Sequence, residues 1–229
     1  MAELDLVELV RNRTMSREIA ATLWATAEQR RSFLIVAIPR LAGKTTVMQA
    51  MLQRVPDGTL VRTLVEHPEE VDALSSQPAG GYLVVPEVSE APVPGYIWGD
   101  PVRRVFGLLK GGYSLATALH APGLQAAFQV LTEGNEIPDE DVGQIQLMVY
   151  IRTLGEDWQN PTRRAVAEVH EIEGVSGGLP IARLLHRWDE ESDRFEQVAA
   201  PAQLDDGGTS LEDLARELQR EAEKRAAAG

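Results

Sequence analysis

A lysine between a glycine and two threonines closes the run FLIVAIPRLAGKTT at residues 33–46, the stretch of the chain best suited to chemistry. Phe33 to Ala37 read as a buried strand and Thr45 to Leu52 as a helix, so Gly43, Lys44 and Thr45 fall where a strand's C-terminal end passes into a helix N-terminus. Backbone N–H groups and the helix dipole gather anions at such a place. A lysine ammonium there can neutralise β and γ phosphate oxygens, and a threonine hydroxyl can hold Mg²⁺. The loop is irregular for that purpose, because positions 38 and 41, where glycines would let the backbone curl round a phosphate, hold Ile38 and Leu41. A β-branched residue at positive φ costs about 1–2 kcal/mol, which predicts either a remodelled loop or weakened phosphate binding. Taken alone, the stretch also fits an ordinary strand-turn-helix with a solvated lysine.

Hydrolysis of a nucleotide needs one carboxylate near the metal and another to orient or deprotonate water. Glu87 follows the apolar segment LVVP at a strand end, where it could reach Mg²⁺ through a water, and Glu66, Glu69 and Glu70 follow LVRTLV in the segment EHPEE. Each of these also fits a surface carboxylate. His120 ends the strand Ser114 to Leu119 and could donate to a γ-phosphate, although a structural histidine fits the same position. His67, His170 and His186 have no metal-like spacing with it, and no zinc site is predicted.

These groups need elements to position them. LDLVELVRNRTMSREIAATLWATAEQRR reads as two helices with Ser16 as an N-cap, leading into the Phe33 strand. TLVRTLVE and Tyr82 to Val85 read as further strands, Val102 to Lys110 as a helix, and Gly123 to Thr132 and Asp139 to about Gln146 as two more. Strands and helices therefore alternate from about residue 30 to 150, as in a parallel sheet covered on both faces. From Leu147 the pattern changes to strand-like pieces joined by short turns (MVYIRTL, RRAVAEVHEIEGV, LPIARLLHRW, DRFEQVA), which predicts an antiparallel extension. Ala202 to Gly208 read as a polar linker, and Thr209 with Glu212 as a capping box for a last helix. That helix carries Leu211, Leu214, Ala215 and Leu218 on one side and the pairs Glu212/Arg216 and Glu221/Arg225 outside. The chain is expected to divide into a domain over 1–201 and an appended linker and amphipathic helix over 202–229.

With 229 residues the chain can bury a full core. Its longest apolar run is far short of the roughly 18–20 residues that span a bilayer, and the N-terminus lacks the charge order of a signal peptide, so a cytoplasmic protein is expected. The absence of cysteine excludes disulfides and thiolate metal sites. A net charge of −13 argues against a nucleic-acid duplex as the main partner.

Taken in order, these segments resemble the secretion and pilus-assembly ATPases of type II and type IV systems, most nearly the tight-adherence pilus and type IV secretion branch. The resemblance covers about residues 3–198. LVRNRTMSREIAATLWATAEQRRSFLIVAI is similar to that family's helical lead-in to its Walker A loop, EHPEE to its Asp box, LVVPEVSEA to its Walker B segment, GGYSLATALHA to its His box, and RRAVAEVHEIEGVSGGLPIARLLHRW to its terminal strands. The departures are Ile38 and Leu41 for loop glycines, His67 for the Asp-box aspartate, Pro86 and Ser89 for the Walker B glycine and arginine, and Tyr113 for the first His-box histidine. The chain is also expected to lack the N-terminal domain that precedes the motor in most members.

The resemblance implies an α/β fold: a RecA-like P-loop NTPase core with a central, mostly parallel sheet, a helical lead-in, C-terminal antiparallel strands and a terminal helix. It implies ATP and Mg²⁺ as ligands, with Pro39, Arg40, Leu41, Ala42, Gly43, Lys44, Thr45 and Thr46 around the phosphates. Thr45 and, through water, Glu87 would hold the metal, and Glu70, Glu87 and His120 would be the catalytic groups. It also implies a homo-oligomer, a hexamer in the family, and a pilus or secretion machine as partner, with association at the inner face of the membrane through that partner. The alternative is a catalytically impaired paralogue that serves as scaffold or regulator of a true motor, motivated by the lost glycines. A small-molecule kinase fits less well, because no Arg-rich lid follows the sheet.

Overall fold

The computed structural model describes residues 4–64, 71, 73–74, 80–157, 159–204 and 209–228. The EHPEE segment, with Glu66, Glu69 and Glu70, lies outside the described residues.

Two short helices open the chain, α1 at Leu6–Arg11 and α2 at Arg17–Glu28. Each begins at a side-chain cap: Asp5 accepts from the Glu8 amide at 2.9 Å, and Ser16, as its position predicts, accepts from the Ile19 amide at 3.3 Å. They lead into β1 at Phe33–Ala37, followed by α3 at Lys44–Leu52, β2 at Val61–Thr63, β3 at Tyr82–Val88, β4 at Tyr96–Ile97, α4 at Asp100–Leu109 and β5 at Ser114–Leu119. Next come α5 at Leu124–Gln129, which runs into a π turn at Val130–Gly134, and α6 at Asp139–Val142. Strands β6 at Leu147–Leu154, β7 at Arg163–Ser176, β8 at Leu179–Asp189 and β9 at Arg194–Gln197 precede the last helix, α7, at Leu211–Ala228.

The strands form one sheet in the order β2-β3-β5-β1-β6-β7-β8-β9, with β4 paired to β3 off that path. From β2 through β6 the pairings are parallel, and from β6 onward they are antiparallel. The expected mostly parallel core with an antiparallel C-terminal extension is therefore the architecture observed. Strand β1 lies at the middle and is buried at every position, as a strand covered on both faces must be. Its period-two alternation divides the interior. Phe33, Ile35 and Ala37 face a cluster with α1, α2, α3 and α7, while Leu34 and Val36 face one with α4, α5 and α6.

Several element ends depart from the sequence reading. Strand β3 continues through Val88 rather than ending at Val85, because Glu87 and Val88 pair with Tyr96 and Ile97 of β4, a two-residue strand too short to leave a pattern. Pro86, which cannot donate to a ladder, falls at the irregularity in the β3–β5 register between Val85 and Val88. The helix expected to reach Gln146 stops at Val142, with Gly143 as its C-cap, and the next residues close turns back to Asp141 and Val142. The capping box of α7 is shifted by one residue: Ser210 Oγ accepts from the Asp213 amide at 3.1 Å, so Ser210 and Asp213 take the roles read for Thr209 and Glu212.

Of the stripe on α7, Leu214, Ala215 and Leu218 are buried in the cluster with α1 and α2, joined by Ala222, and Leu211 is half-buried against it. Arg225, read as facing outward, also turns inward and forms a bidentate pair with Asp5 at 3.1 and 2.9 Å. The segment leading to α7 is tied down by Glu171, 2% exposed, whose carboxylate accepts from the amides of Ala202 and Gln203 at 2.8–3.0 Å. Among the described residues, no helix is long and apolar enough to cross a membrane.

Candidate functional site

The parallel strands β3, β5 and β1 are neighbours, and each delivers one polar side chain at its C-terminal end. The chain leaves β1 for β2 in one half of the sheet and leaves neighbouring β5 for β6 in the other, and a sheet of this kind binds ligands in the crevice at such a reversal. Lys44, the first residue of α3, comes from the loop after β1. Glu87 comes from β3, and His120 directly follows β5.

The three groups meet. Lys44 Nζ lies 3.4 Å from Glu87 Oε2, with the two side chains only 7% and 6% exposed. His120 Nε2 lies 3.0 Å from Glu87 Oε1, and His120 Nδ1 lies 3.2 Å from the Ala37 carbonyl at the end of β1. Lys44 Nζ is nearly equidistant from Nε2 and Nδ1 of His120, at 3.3 and 3.4 Å. An in-plane approach at those distances would collide with Cε1, so the ammonium lies over the ring face. Burial lowers the Lys44 pKa and the Glu87 charge partly restores it. Burial, and then the Lys44 charge, lower that of His120, keeping the imidazole neutral at neutral pH.

A neutral ring has one N–H to share between two acceptors. Despite the 3.0 Å separation from His120, Glu87 Oε1 is buried without a hydrogen bond of good geometry. That proton goes either from Nδ1 to the Ala37 carbonyl at 3.2 Å or from Nε2 to Glu87 Oε1 at 3.0 Å, and in both tautomers Lys44 stands beside the Glu87 carboxylate as the cation.

The loop between β1 and α3 runs from Ile38 to Gly43. The expected strain at Ile38 is absent, since positive φ falls at Leu41 (63°) and Gly43 (101°) instead, and Ile38 is exposed. Gly43 is the left-handed N-cap of α3, a conformation that suits a residue without Cβ. Thr45 is exposed and Thr46 half-buried in the first turn of α3. Pro39, Arg40 and Leu41 form the outer edge of the loop, and Arg40 is close enough to lower the pKa of Lys44 by its charge.

A cavity of about 420 Å³ adjoins the loop, lined by Leu41, Gly43 and Thr46 on one wall and by Asn12, Ile151 and Arg164 on others. Sequence reading missed two neighbours of the site. Tyr96 of β4 is placed opposite Glu87, and its phenol is pushed up by burial and by the Glu87 charge. Arg164 of β7 donates its Nε–H to the Leu41 carbonyl at 3.2 Å. Neither stands in a local motif, and the only signal was the pair Arg163-Arg164 at a strand start. Of the three expected catalytic groups, Glu87 and His120 are brought together, and Glu70 lies outside the described residues.

A loop and helix after the central parallel strand, helices on both faces and an antiparallel extension define the class: an α/β chain with a RecA-like fold. Among solved structures, the chain is similar to the VirB11 ATPase from the Brucella suis type IV secretion system in complex with sulphate, with a TM-score of 0.51 and 16% identity over 67% of this chain and 52% of that one. The match spans about half the length of that protein and shows the fold. No protein-family model and no curated protein matches the sequence.

Proposed function

We propose that the chain is a divergent secretion-type P-loop ATPase that binds ATP with Mg²⁺ and hydrolyses it to drive secretion or pilus assembly. The observation that carries this reading is the convergence of Lys44, Glu87 and His120 within 3.0–3.4 Å beside the N-terminus of α3. In it, Lys44 contacts the β and γ phosphates, and the backbone of Pro39 to Thr46 surrounds them. The adjoining 420 Å³ cavity is in the size range of a small-ligand site, and it takes the nucleoside.

The residues present fit a hydrated metal ion. Glu87 Oε1 is buried without a hydrogen bond of good geometry, and the Glu87 carboxylate needs positive charge nearby once Lys44 is drawn to phosphate. Thr45 and, through water, Glu87 would hold Mg²⁺, which would neutralise phosphate charge. Glu70 orients the attacking water and His120 reads the γ-phosphate.

The resemblance in sequence and the likeness in fold also support self-association, in a hexameric ring by family analogy, and a pilus or secretion machine as partner at the inner face of the membrane. Substituting Lys44→Ala is expected to abolish Mg-ATP binding measured by calorimetry, and unchanged affinity would rule the assignment out.

A second reading, a non-hydrolysing scaffold or regulator of a true motor, has its own observation. Lys44 is already neutralised by Glu87, so a nucleotide must break an ion pair to recruit it. Turnover separates the two: phosphate release that disappears in Glu70→Gln excludes the scaffold, and release no faster than buffer favours it.

A further inference from the structure

Arg164 opens β7 beside the phosphate loop, and its contacts differ from those of neighbouring arginines. Arg163 is committed to Asp193 at 2.8 Å and lies 5.8 Å from the Trp188 ring, and Arg152 pairs with Glu190 at 2.8 Å. Arg164 is exposed, and among the described residues no carboxylate pairs with it. Its Nε–H is given instead to the Leu41 carbonyl at 3.2 Å, across 123 positions of sequence. Its Cδ lies 3.6 Å from the place a Cβ on Gly43 would occupy. The arginine stem thus reaches across the loop from residue 41 to the glycine that caps α3.

The carbonyl it holds belongs to the residue least suited to its own backbone. Leu41 sits at φ 63°, in the left-handed region that a side chain disfavours, and it is 63% exposed, so its own burial contributes little to holding it there. The support must come from outside the loop, and Arg164 is the side chain that supplies it. A lysine could not do the same, because the bond uses the Nε–H of a rigid guanidinium fork.

We infer that Arg164 is a positioning residue which holds the left-handed turn at Leu41, taking the part that glycine plays in an ordinary phosphate loop, so that the amides of residues 42–46 face the phosphates. Its ligand arm rests on the ATP-binding reading above; its loop arm does not.

The test uses the full chain and two measurements. Hydrogen exchange at the Val47 amide, which donates to the Gly43 carbonyl at 3.0 Å, and at the α3 amides that follow it reports the loop without nucleotide, and calorimetric titration with Mg-ATP reports the consequence. In Arg164→Ala these amides are expected to exchange about tenfold faster while the rest of the sheet is unchanged, and affinity to fall about 10- to 100-fold. Arg164→Lys should not rescue either measurement. Adding Leu41→Gly to Arg164→Ala should recover most of the affinity, since glycine adopts the turn unaided; a direct phosphate contact by Arg164 would not be repaired from residue 41. Wild-type exchange and affinity in Arg164→Ala, or no recovery on adding Leu41→Gly, overturns the inference. A wild-type chain that binds no ATP defeats the ATP reading instead, and loop exchange in Arg164→Ala then decides the role of Arg164 by itself.

Discussion

Lys44 and Glu87 are each other's main electrostatic support, in a place where neither has much water. Breaking a fully buried pair costs about 3–5 kcal/mol, and this one opens toward solvent on the His120 side, where that ring is 29% exposed, so the cost is smaller. We expect Glu87→Gln and Lys44→Met each to lower stability by about 1–3 kcal/mol and the double variant to lose clearly less than the sum, measured by urea unfolding at pH 7. Additive losses would show that the two charges are supported independently. Lys44, Glu87 and His120 were legible in the sequence because each ends or follows an apolar strand, which fixes its place on the sheet's C-terminal edge. Tyr96 and Arg164 were not, since each depends on a pairing between distant segments that no local pattern records. The strain expected at Ile38 was misplaced for a similar reason. Composition shows that glycines are missing, but backbone geometry decides which residue bears the left-handed turn.

At the scale of elements, His186 couples the antiparallel extension to the helical lead-in. Its Nε2 lies 2.9 Å from Thr22 Oγ1. The Thr22 hydroxyl donates to the Glu18 carbonyl, so the imidazole donates to Thr22. Burial pushes the His186 pKa down to about 4, with the Glu18 charge opposing, and Arg17, Glu212 and Arg216 line the same cavity. Because the folded pKa lies below that of the unfolded chain, this contribution is full above about pH 6.5 and is lost as pH falls toward 4, amounting to about 3 kcal/mol. His186→Gln should therefore flatten the decline of the urea midpoint across that window, and a decline as steep as wild type would assign it to other groups. Helix α7 depends on packing rather than propensity: Leu218→Ala is expected to cost about 2–5 kcal/mol, read from thermal unfolding. Strand and helix identities were readable from apolar periodicity. The displaced cap and the short α6 were not, because adjacent Thr209 and Ser210 both suit a cap and only packing selects one.

Considered whole, the molecule puts helices on both faces of one sheet and carries a net charge of −13. Copies of so acidic a chain repel one another, so the proposed self-association should strengthen with salt. Sedimentation in Mg-ATP is expected to shift toward larger species between about 50 and 300 mM NaCl, over which the Debye length roughly halves. A distribution that shrinks or stays fixed counts against a ring built from this acidic surface. The contact between Arg164 and Leu41 has a consequence in time as well as in space. The loop belongs to the first strand of the sheet to be made, yet the side chain that steadies it belongs to β7, 123 residues later. At about 5–20 residues per second, a ribosome needs several seconds or more to cover that interval. A growing chain therefore carries the loop after β1 without this contact for several seconds or more, and gains it only when the C-terminal half arrives.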